Sequence, residues 1–312
     1  MSKEKKQKEL IIIGGGPAGL TAAIYGARAK LNMLLLEDQI LGGQVRNSYT
    51  IENYPGFKTV TGSELADLMQ QQAEELGAEI DEFDIVEKVD FSGDKKIIET
   101  SNYIYETDTV IISTGATSKK LPIPNEEKFS GKGIHYCAVC DGAMYEGKVI
   151  AVVGGGNSAL EEAIFLTRFA KKVYMIRRYD YFKGEKSTID EVMNHPKIEV
   201  LFNEDLVNVE GKDFVEKAII KNTKDNSEKE LELDAIFGYI GTEPKTTLFK
   251  DYLNLNHGYI VTDENMRTNI EGIYAAGDVR EKEFRQITTA VADGTIAALQ
   301  AEKYIVEKNK NL

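Results

Sequence analysis

Short apolar runs, glycine turns and amphipathic stretches alternate along the chain, and one arrangement of them occurs twice. Leu10-Ile11-Ile12-Ile13 is a continuous apolar run, the pattern of a strand covered on both faces, and it stops at Gly14-Gly15-Gly16-Pro17-Ala18-Gly19. Leu20 to Lys30 then reads as an alanine-rich helix, and Leu34-Leu35-Leu36 as a second buried strand that ends at Glu37. The second copy begins with the strand Val149 to Val153, followed by the turn Gly154-Gly155-Gly156-Asn157-Ser158-Ala159 and a helix from Leu160 to Phe169. Its second strand, Val173 to Ile176, ends at Arg177-Arg178. Strand, glycine turn, helix, strand is the order of a dinucleotide-binding fold.

Between the copies lie an amphipathic helix from Gly62 to Gly77 and alternating segments around Ile85 to Val89, Lys96 to Glu99 and Ser101 to Tyr105, of which the last two suggest a small antiparallel insertion. Asp108 to Ala116 reads as a strand whose small end, with Thr114 and Gly115, can pass close to a ligand. Leu121-Pro122-Ile123-Pro124 has the composition of a linker. After the second copy, Glu199 to Phe202, Glu216 to Lys221 and Glu230 to Leu233 read as another meander, and Ala235 to Gly241 parallels the strand at 109–115. Gly272 to Asp278 is a last strand ending in an acid, and Gln286 to Ile305 a long helix. The expected class is α/β: two Rossmann-like, three-layer domains, the second inserted into the first.

Each position in the glycine turns has a physical task. Gly14 permits the tight turn, Gly16 lets the backbone approach a pyrophosphate beside Pro17 and Ala18, and Gly19 lets the helix pack on the sheet. Free N–H groups at a helix start favour phosphates. Glu37 can accept hydrogen bonds from a ribose diol, whereas arginines at the matching place suit a 2′-phosphate. The two sites are therefore expected to take different nucleotides, although a surface arginine pair after a strand is an alternative reading.

Cys137 and Cys140 are the only cysteines, and they stand in a Cys-x-x-Cys pair followed by Asp141. Such spacing commonly lowers the pKa of one thiol and makes it a nucleophile. Half of a zinc site and two buried small residues are the alternatives. Zinc takes four ligands as a rule, and His135, His195 and His257 are scattered, with only His135 near the pair. Redox chemistry is the expectation.

Composition narrows the field. A net charge of −13, from 38 basic and 51 acidic residues, argues against nucleic-acid binding, since nothing offsets repulsion from phosphates. The basic run from Lys3 to Lys8 reads as a solvated leader ahead of the first strand. No apolar stretch approaches the roughly 20 residues of a membrane span. No membrane partner and a cytoplasmic location are expected, where a Cys-x-x-Cys pair is more often catalytic than structural.

The motifs GGGPAGLTAAIYGAR, GGQ, IENYPGF, STGA, CAVCDG, GGGNSALEEA, AAGDVR and RQITTAVADG stand in one order along nearly the whole chain. In that order they resemble the low-molecular-weight, flavin-dependent thioredoxin reductases. The resemblance implies an FAD domain made of 1–117 and 245–312, and a pyridine-nucleotide/disulfide domain, 118–244, that carries the cysteines. It also implies a homodimer, NADPH as donor and a thioredoxin-like protein as substrate. Cys140 then faces the flavin, Cys137 attacks the protein disulfide and Asp141 is the acid/base. Gly14, Gly16 and Gly19 approach the FAD pyrophosphate, Glu37 its ribose, and Gln44 and Asn53 the flavin side. Asp278 matches the acid on the ribityl chain, while Arg285, Gln286 and Ala290 match residues beside the isoalloxazine. Gly154, Gly156, Asn157 and Ser158 hold the nicotinamide nucleotide, with Arg177, Arg178 and Lys183 on its 2′-phosphate. Hinges are expected near Lys119–Pro124 and Gly241–Pro244.

Two departures from the family stand out. Val139 replaces a threonine between the cysteines, and a His-Arg-Arg-x-x-x-Arg cluster here reads Arg177-Arg178-Tyr179-Asp180-Tyr181-Phe182-Lys183. The altered cluster leaves open a ferredoxin-dependent thioredoxin reductase with a degenerate nucleotide site. A flavin-binding redox sensor without turnover is a further alternative, against which the retained Cys-x-x-Cys-Asp speaks.

Overall fold

The structure, a computed structural model, describes residues 3–48 and 51–310; the side chains of Asn47, Val139 and Cys140 lie outside the described part. The chain divides into two compact units, Met1–Thr117 with Pro244–Leu312, and Ser118–Glu243.

The first unit is built on β1 (Glu4–Ile13), α1 (Pro17–Arg28), β2 (Met33–Glu37), α2 (Gly62–Glu75), β3 (Ile80–Glu82), β4 (Val86–Asp90), β5 (Lys96–Thr100) and β6 (Tyr103–Ile112). Its sheet runs β3-β2-β1-β6-β5-β4, parallel from β3 to β6 and antiparallel beyond. Alternation along β1 and β2 sorts the core into two layers. Leu10, Ile12 and Leu35 join Leu20, Ala23, Leu65 and Met69 of the helices. Ile11, Ile13, Leu34 and Leu36 instead join Val89, Phe91 and Ile98 of the antiparallel strands.

From Glu4 on, the basic run at the N-terminus is part of β1 and not a solvated leader, because its lysines have places to put their charge. Lys3 pairs with Glu87 and Glu99, Lys8 with Glu79, and the Lys6 ammonium lies 3.4 Å from the centre of the Tyr103 ring. The segments expected separately at 101–105 and 108–116 are one ten-residue strand, β6, which pairs with β1 from Glu4↔Tyr103 to Ile13↔Ile112.

The chain leaves the first unit within β7 (Ala116–Ser118). The second unit holds α3 (Glu126–Phe129), β8 (Ile134–His135), α4 (Ala138–Asp141), β9 (Val149–Gly154), α5 (Asn157–Leu166), β10 (Lys172–Arg177), α6 (Lys186–Asn194) and β11 (Ile198–Phe202). The meander β12 (Glu204–Glu210), β13 (Lys217–Asn222) and β14 (Glu228–Glu232) and the strand β15 (Ala235–Tyr239) complete it. Its parallel sheet has the order β11-β10-β9-β15-β8. One face carries the meander, through Leu206, Val209, Ala218 and Ile220, and the other carries α5 and α6, through Leu160, Ala163 and Val192.

Two sequence expectations need correction here. The segment at 199–202 is the edge strand of the parallel sheet, not part of the meander; Asn203, with φ of 57°, turns the chain from β11 into β12. The proline-containing stretch is no free linker, because Leu121 and Ile123 are buried in the core of the second unit. The crossings fall beside it, and each unit clasps its own ends of them. Lys119 N–H donates to Gly241 O in the second unit, and Lys245 N–H to Gly115 O in the first.

The chain returns within β16 (Thr242–Pro244) and adds β17 (Leu255–Asn256), β18 (Tyr259–Ile260), β19 (Ile273–Ala275) and α7 (Ile287–Lys310). Strand β19 pairs in parallel with β6, and α7 packs on α1 so closely that a Cβ on Gly294 would lie 2.1 Å from the Ala18 carbonyl oxygen. Among the described residues no helix is long and apolar enough to cross a membrane.

Candidate functional sites in the two units

In the first unit, the turn from β1 into α1 shows why three glycines are needed and that they are not equivalent. Gly14 has φ of 103°, and a Cβ there would lie 2.4 Å from Ser113 O. A Cβ on Gly19 would sit 1.8 Å from Gly14 O. Both are demanded by packing. Gly16 is different: it has an extended backbone, φ −73° and ψ −175°, and a Cβ would meet no protein atom within 4 Å. The space beside it is open, and Pro17, whose ring nitrogen has no N–H to leave unpaired, takes the first position of the helix there. Glu37, at the end of β2, accepts hydrogen bonds from Gly15 N–H at 2.6 Å and Gln39 N–H at 3.0 Å. Burial pushes its carboxyl above the usual range.

The remaining first-unit residues fall into pairs. Gln44 Nε2 donates to Ala116 O, and Asn53 Nδ2 to Gln286 Oε1 at 3.2 Å. Thr114 Oγ1 donates to Lys245 O at 2.8 Å, and Gly115 turns with φ of 68°. Ala290 is buried in the first turn of α7. Asp278 Oδ1 and Arg285 Nε are buried and make no hydrogen bond. Burial pushes the Asp278 carboxyl up, with Lys282 and Arg285 opposing that shift. Lys282 Nζ stands 3.7 Å from Asp278 Oδ1, too far for a hydrogen bond, so a buried carboxylate oxygen and a buried guanidinium N–H are left without hydrogen bonds, which a polar ligand can supply.

In the second unit the dithiol segment and the glycine turn meet on one residue. Tyr239, at the end of β15, accepts a hydrogen bond from Ala138 N–H through its hydroxyl at 2.9 Å. Its carbonyl oxygen stands where a Cβ on Gly154 would lie 2.3 Å away. Cys137 is disulfide-bonded, and Asp141 N–H donates to Cys137 O at 3.2 Å, one helical turn on. Gly156 is the N-cap of α5, nearly open on its Cβ side; Asn157 Oδ1 accepts from Glu185 N–H, and Ser158 is exposed.

The basic residues are committed elsewhere in part. Arg178 is paired with Asp205. Arg177 donates from Nε to Tyr181 O at 3.0 Å, and its guanidinium lies 4.7 Å from the Tyr179 ring centre and 5.8 Å from that of Tyr181. Lys183 is exposed beside the turn, its N–H on Gly155 O.

The description "pyridine nucleotide-disulphide oxidoreductase" belongs to a family model that matches residues 8–294. The chain belongs to that family. Within these oxidoreductases it is 54% identical to the "34.2 kDa protein in rubredoxin operon" of Clostridium pasteurianum, over 97% of this chain and 99% of that one. It is 43% identical to the thioredoxin reductase of Listeria monocytogenes, over 100% of this chain and 98% of the other. The crystal structure of Lactococcus lactis thioredoxin reductase superposes with a TM-score of 0.94 at 42% identity, covering 96% of this chain and 99% of that one.

FAD fits the oxidoreductase's first unit on the residues present: the open face at Gly16 suits a pyrophosphate, and Asp278 Oδ1 and Arg285 Nε, buried without hydrogen bonds, suit polar groups of the cofactor. Several contributors escape a reading of motifs alone. Asp293, buried on α7, accepts from Gly277 N–H at 3.0 Å and from Lys282 Nζ at 3.0 Å, and pairs with Arg280 at 3.3 Å, so it fixes the loop that carries Asp278. Only its place in RQITTAVADG, one of the shared motifs, hints at this. Ser113 Oγ donates to Gly14 O at 2.8 Å and pins the first turn. Tyr239 carries no sequence signal, and His135 only its nearness to the cysteine pair.

Proposed function

We infer that this chain is an FAD-dependent thioredoxin-disulfide reductase, passing electrons from a nicotinamide nucleotide to a thioredoxin-like protein. The observation that carries this reading is the disulfide at Cys137, one turn from Asp141 and tied through Tyr239 to the second glycine turn. The unit made of both chain ends is the FAD domain, and the unit from Ser118 to Glu243 holds nucleotide and dithiol. FAD, when bound, supplies the two-electron relay between nicotinamide and disulfide. Gly16 admits the pyrophosphate, Glu37 accepts the ribose hydroxyls, and Asp278, Arg285, Gln286 and Ala290 orient the flavin end. Gly154, Gly156, Asn157 and Ser158 receive the nucleotide. Cys137, once reduced, attacks the partner's disulfide, and Cys140 resolves the mixed disulfide by attack on Cys137 Sγ. Asp141 takes the thiol proton and returns it to the leaving sulfur. The active form is a cytoplasmic homodimer.

Asp141→Asn keeps the shape and removes the proton acceptor. It should slow reduction of the protein disulfide by about 10²–10⁴-fold. Flavin reduction by the nucleotide should be unchanged, so two stopped-flow phases read the effect separately.

The donor follows from the arginines. NADPH stays ahead of NADH, because Arg177, Arg178 and Lys183 remain near the end of β10, but the selectivity is blurred. Tyr179 brings no charge, and Arg178 must leave Asp205 to reach a 2′-phosphate. One lost charge-assisted hydrogen bond is worth about 1.5–3 kcal/mol, roughly ten- to a hundredfold in preference. Tyr179→Arg with Lys183→Arg should tighten NADPH by that factor and leave NADH alone. The altered cluster is also what a second reading rests on, in which reduced ferredoxin is the donor. Turnover of a thioredoxin with NADPH, NADH and reduced ferredoxin side by side tests all three; reduction by ferredoxin alone would replace the nucleotide reading.

A further inference from the structure

His135 lies two residues before Cys137 on the short strand β8 and is 4% exposed. Its Nδ1 is 3.0 Å from Asp141 Oδ2, and its Nε2 is 2.7 Å from the Tyr145 hydroxyl. The ring is stacked on Phe237 of β15, with centroids 5.3 Å apart and planes at 28°, and the Tyr145 ring meets it edge-on. A carboxylate only accepts, so Nδ1 carries the proton and donates to Asp141; in the neutral imidazole Nε2 then accepts from the Tyr145 hydroxyl. Burial, with Asp141 and Asp234 adding to it, raises the Tyr145 hydroxyl and keeps it a donor. The three groups form one directed chain, Tyr145 to His135 to Asp141, and the imidazole can neither rotate nor change tautomer without breaking a buried hydrogen bond.

We propose that His135, locked by Tyr145, is a positioning residue that holds the Asp141 carboxylate aimed for proton transfer at Cys137. The proposal rests on the reductase reading for the role of Asp141, but not on the identity of donor or partner. Asp141 side chain is about one-third exposed, and among the described residues its Oδ1 makes no hydrogen bond, so one oxygen is anchored and the other is available. As Cys137 Sγ attacks a disulfide sulfur, its proton passes to Asp141. The sulfur–sulfur bond of the substrate breaks, and that proton neutralises the departing thiolate. Attack by the second thiol on Cys137 Sγ closes the ring and releases the second product thiol, so the dithiol is oxidised and the substrate disulfide reduced.

A donor to the charged form of a carboxylate favours ionisation, and its loss makes the group hold its proton more tightly. The groups that face this chain are few: Phe237 from β15, Tyr145 and Asp234 beyond the imidazole, and Tyr239 near Asp141, with Glu162 of α5 behind Tyr239. Among them His135 alone donates to Asp141. Its removal should therefore move the acid limb of the rate profile to higher pH.

The test uses the full-length holoprotein, reduced with dithiothreitol, desalted and mixed with 2-hydroxyethyl disulfide, an aliphatic disulfide whose leaving thiolate needs a proton. Acid-quenched samples give the rate from the protein thiols that remain, with no nucleotide and no thioredoxin present. A chain that failed to turn over thioredoxin would sink the reductase reading without touching this result. In His135→Ala the acid limb should move up by about one to two pH units, the worth of one charge-assisted hydrogen bond. In His135→Asn, whose amide takes the place of Nδ1–H, the limb should stay within about half a unit of the parent, and Tyr145→Phe should fall between. Retained flavin absorbance checks that each variant is folded. Superimposable profiles for His135→Ala and the parent would overturn the proposal, as would equal losses at every pH in both His135 variants, which is what a purely structural histidine gives.

Discussion

Gly16→Val is expected to yield a folded protein without flavin colour. Gly14 and Gly19 are held by packing, and a side chain at either would strike backbone atoms within 2.4 Å. Gly16 has no such constraint, since its φ of −73° suits any residue and its Cβ position is clear of protein to 4 Å. Valine there occupies only the space a pyrophosphate needs. Thermal unfolding of the flavin-free parent and variant should therefore agree, while FAD binding should fall from roughly one per chain to none. A variant that stays yellow would mean the dinucleotide does not cross at this turn. The contrast between an intact fold and a lost cofactor makes the result specific to the site.

Cys137→Ser should abolish reduction of a protein disulfide and leave reduction of the flavin by the nucleotide intact. Serine keeps the size of the side chain and its place ahead of Asp141, but its hydroxyl is not a nucleophile toward sulfur at neutral pH. The loss should be complete to the detection limit, beyond the 10²–10⁴-fold that a missing acid/base produces. Residual turnover at a tenth of the parent rate would show that another group carries the exchange.

The parts of this molecule that are legible in its sequence are those where backbone geometry forces a residue type. Gly14 and Gly154, with φ of 103° and 155°, are wedged against carbonyl oxygens of neighbouring strands, and no other residue can stand there. The apolar runs at 10–13 and 149–153 are equally plain, because both faces of those strands are covered. Polarity misleads where charge is satisfied at a distance. Lys3 and Lys8, just before and within β1, look solvated, yet their partners Glu79, Glu87 and Glu99 come from strands and loops more than 70 residues away. Asn203 in the left-handed region decides which segment belongs to the sheet and which to the meander, and nothing in composition marks it. The same holds in the site. Cys137, Cys140 and Asp141 announce themselves by spacing, whereas the His135–Asp141 contact arises only because α4 turns the chain back over the end of β8. Tyr239 joins the dithiol to the glycine turn from 100 residues further along the chain, a relation that spacing does not encode.

The central claim is that a partner's disulfide is reduced through a covalent bond to Cys137, resolved by Cys140. Cys140→Ser removes the resolving thiol and leaves the attacking one, so the mixed disulfide has nowhere to go. The pre-reduced variant, mixed with an oxidised thioredoxin whose own resolving cysteine is replaced where needed, is examined by intact mass and by peptide mapping under non-reducing conditions. The account predicts a one-to-one adduct, dissolved by dithiothreitol, with the thioredoxin sulfur attached at Cys137. An adduct that forms instead in Cys137→Ser, at Cys140, or no adduct in either variant while the parent reduces thioredoxin, would contradict it.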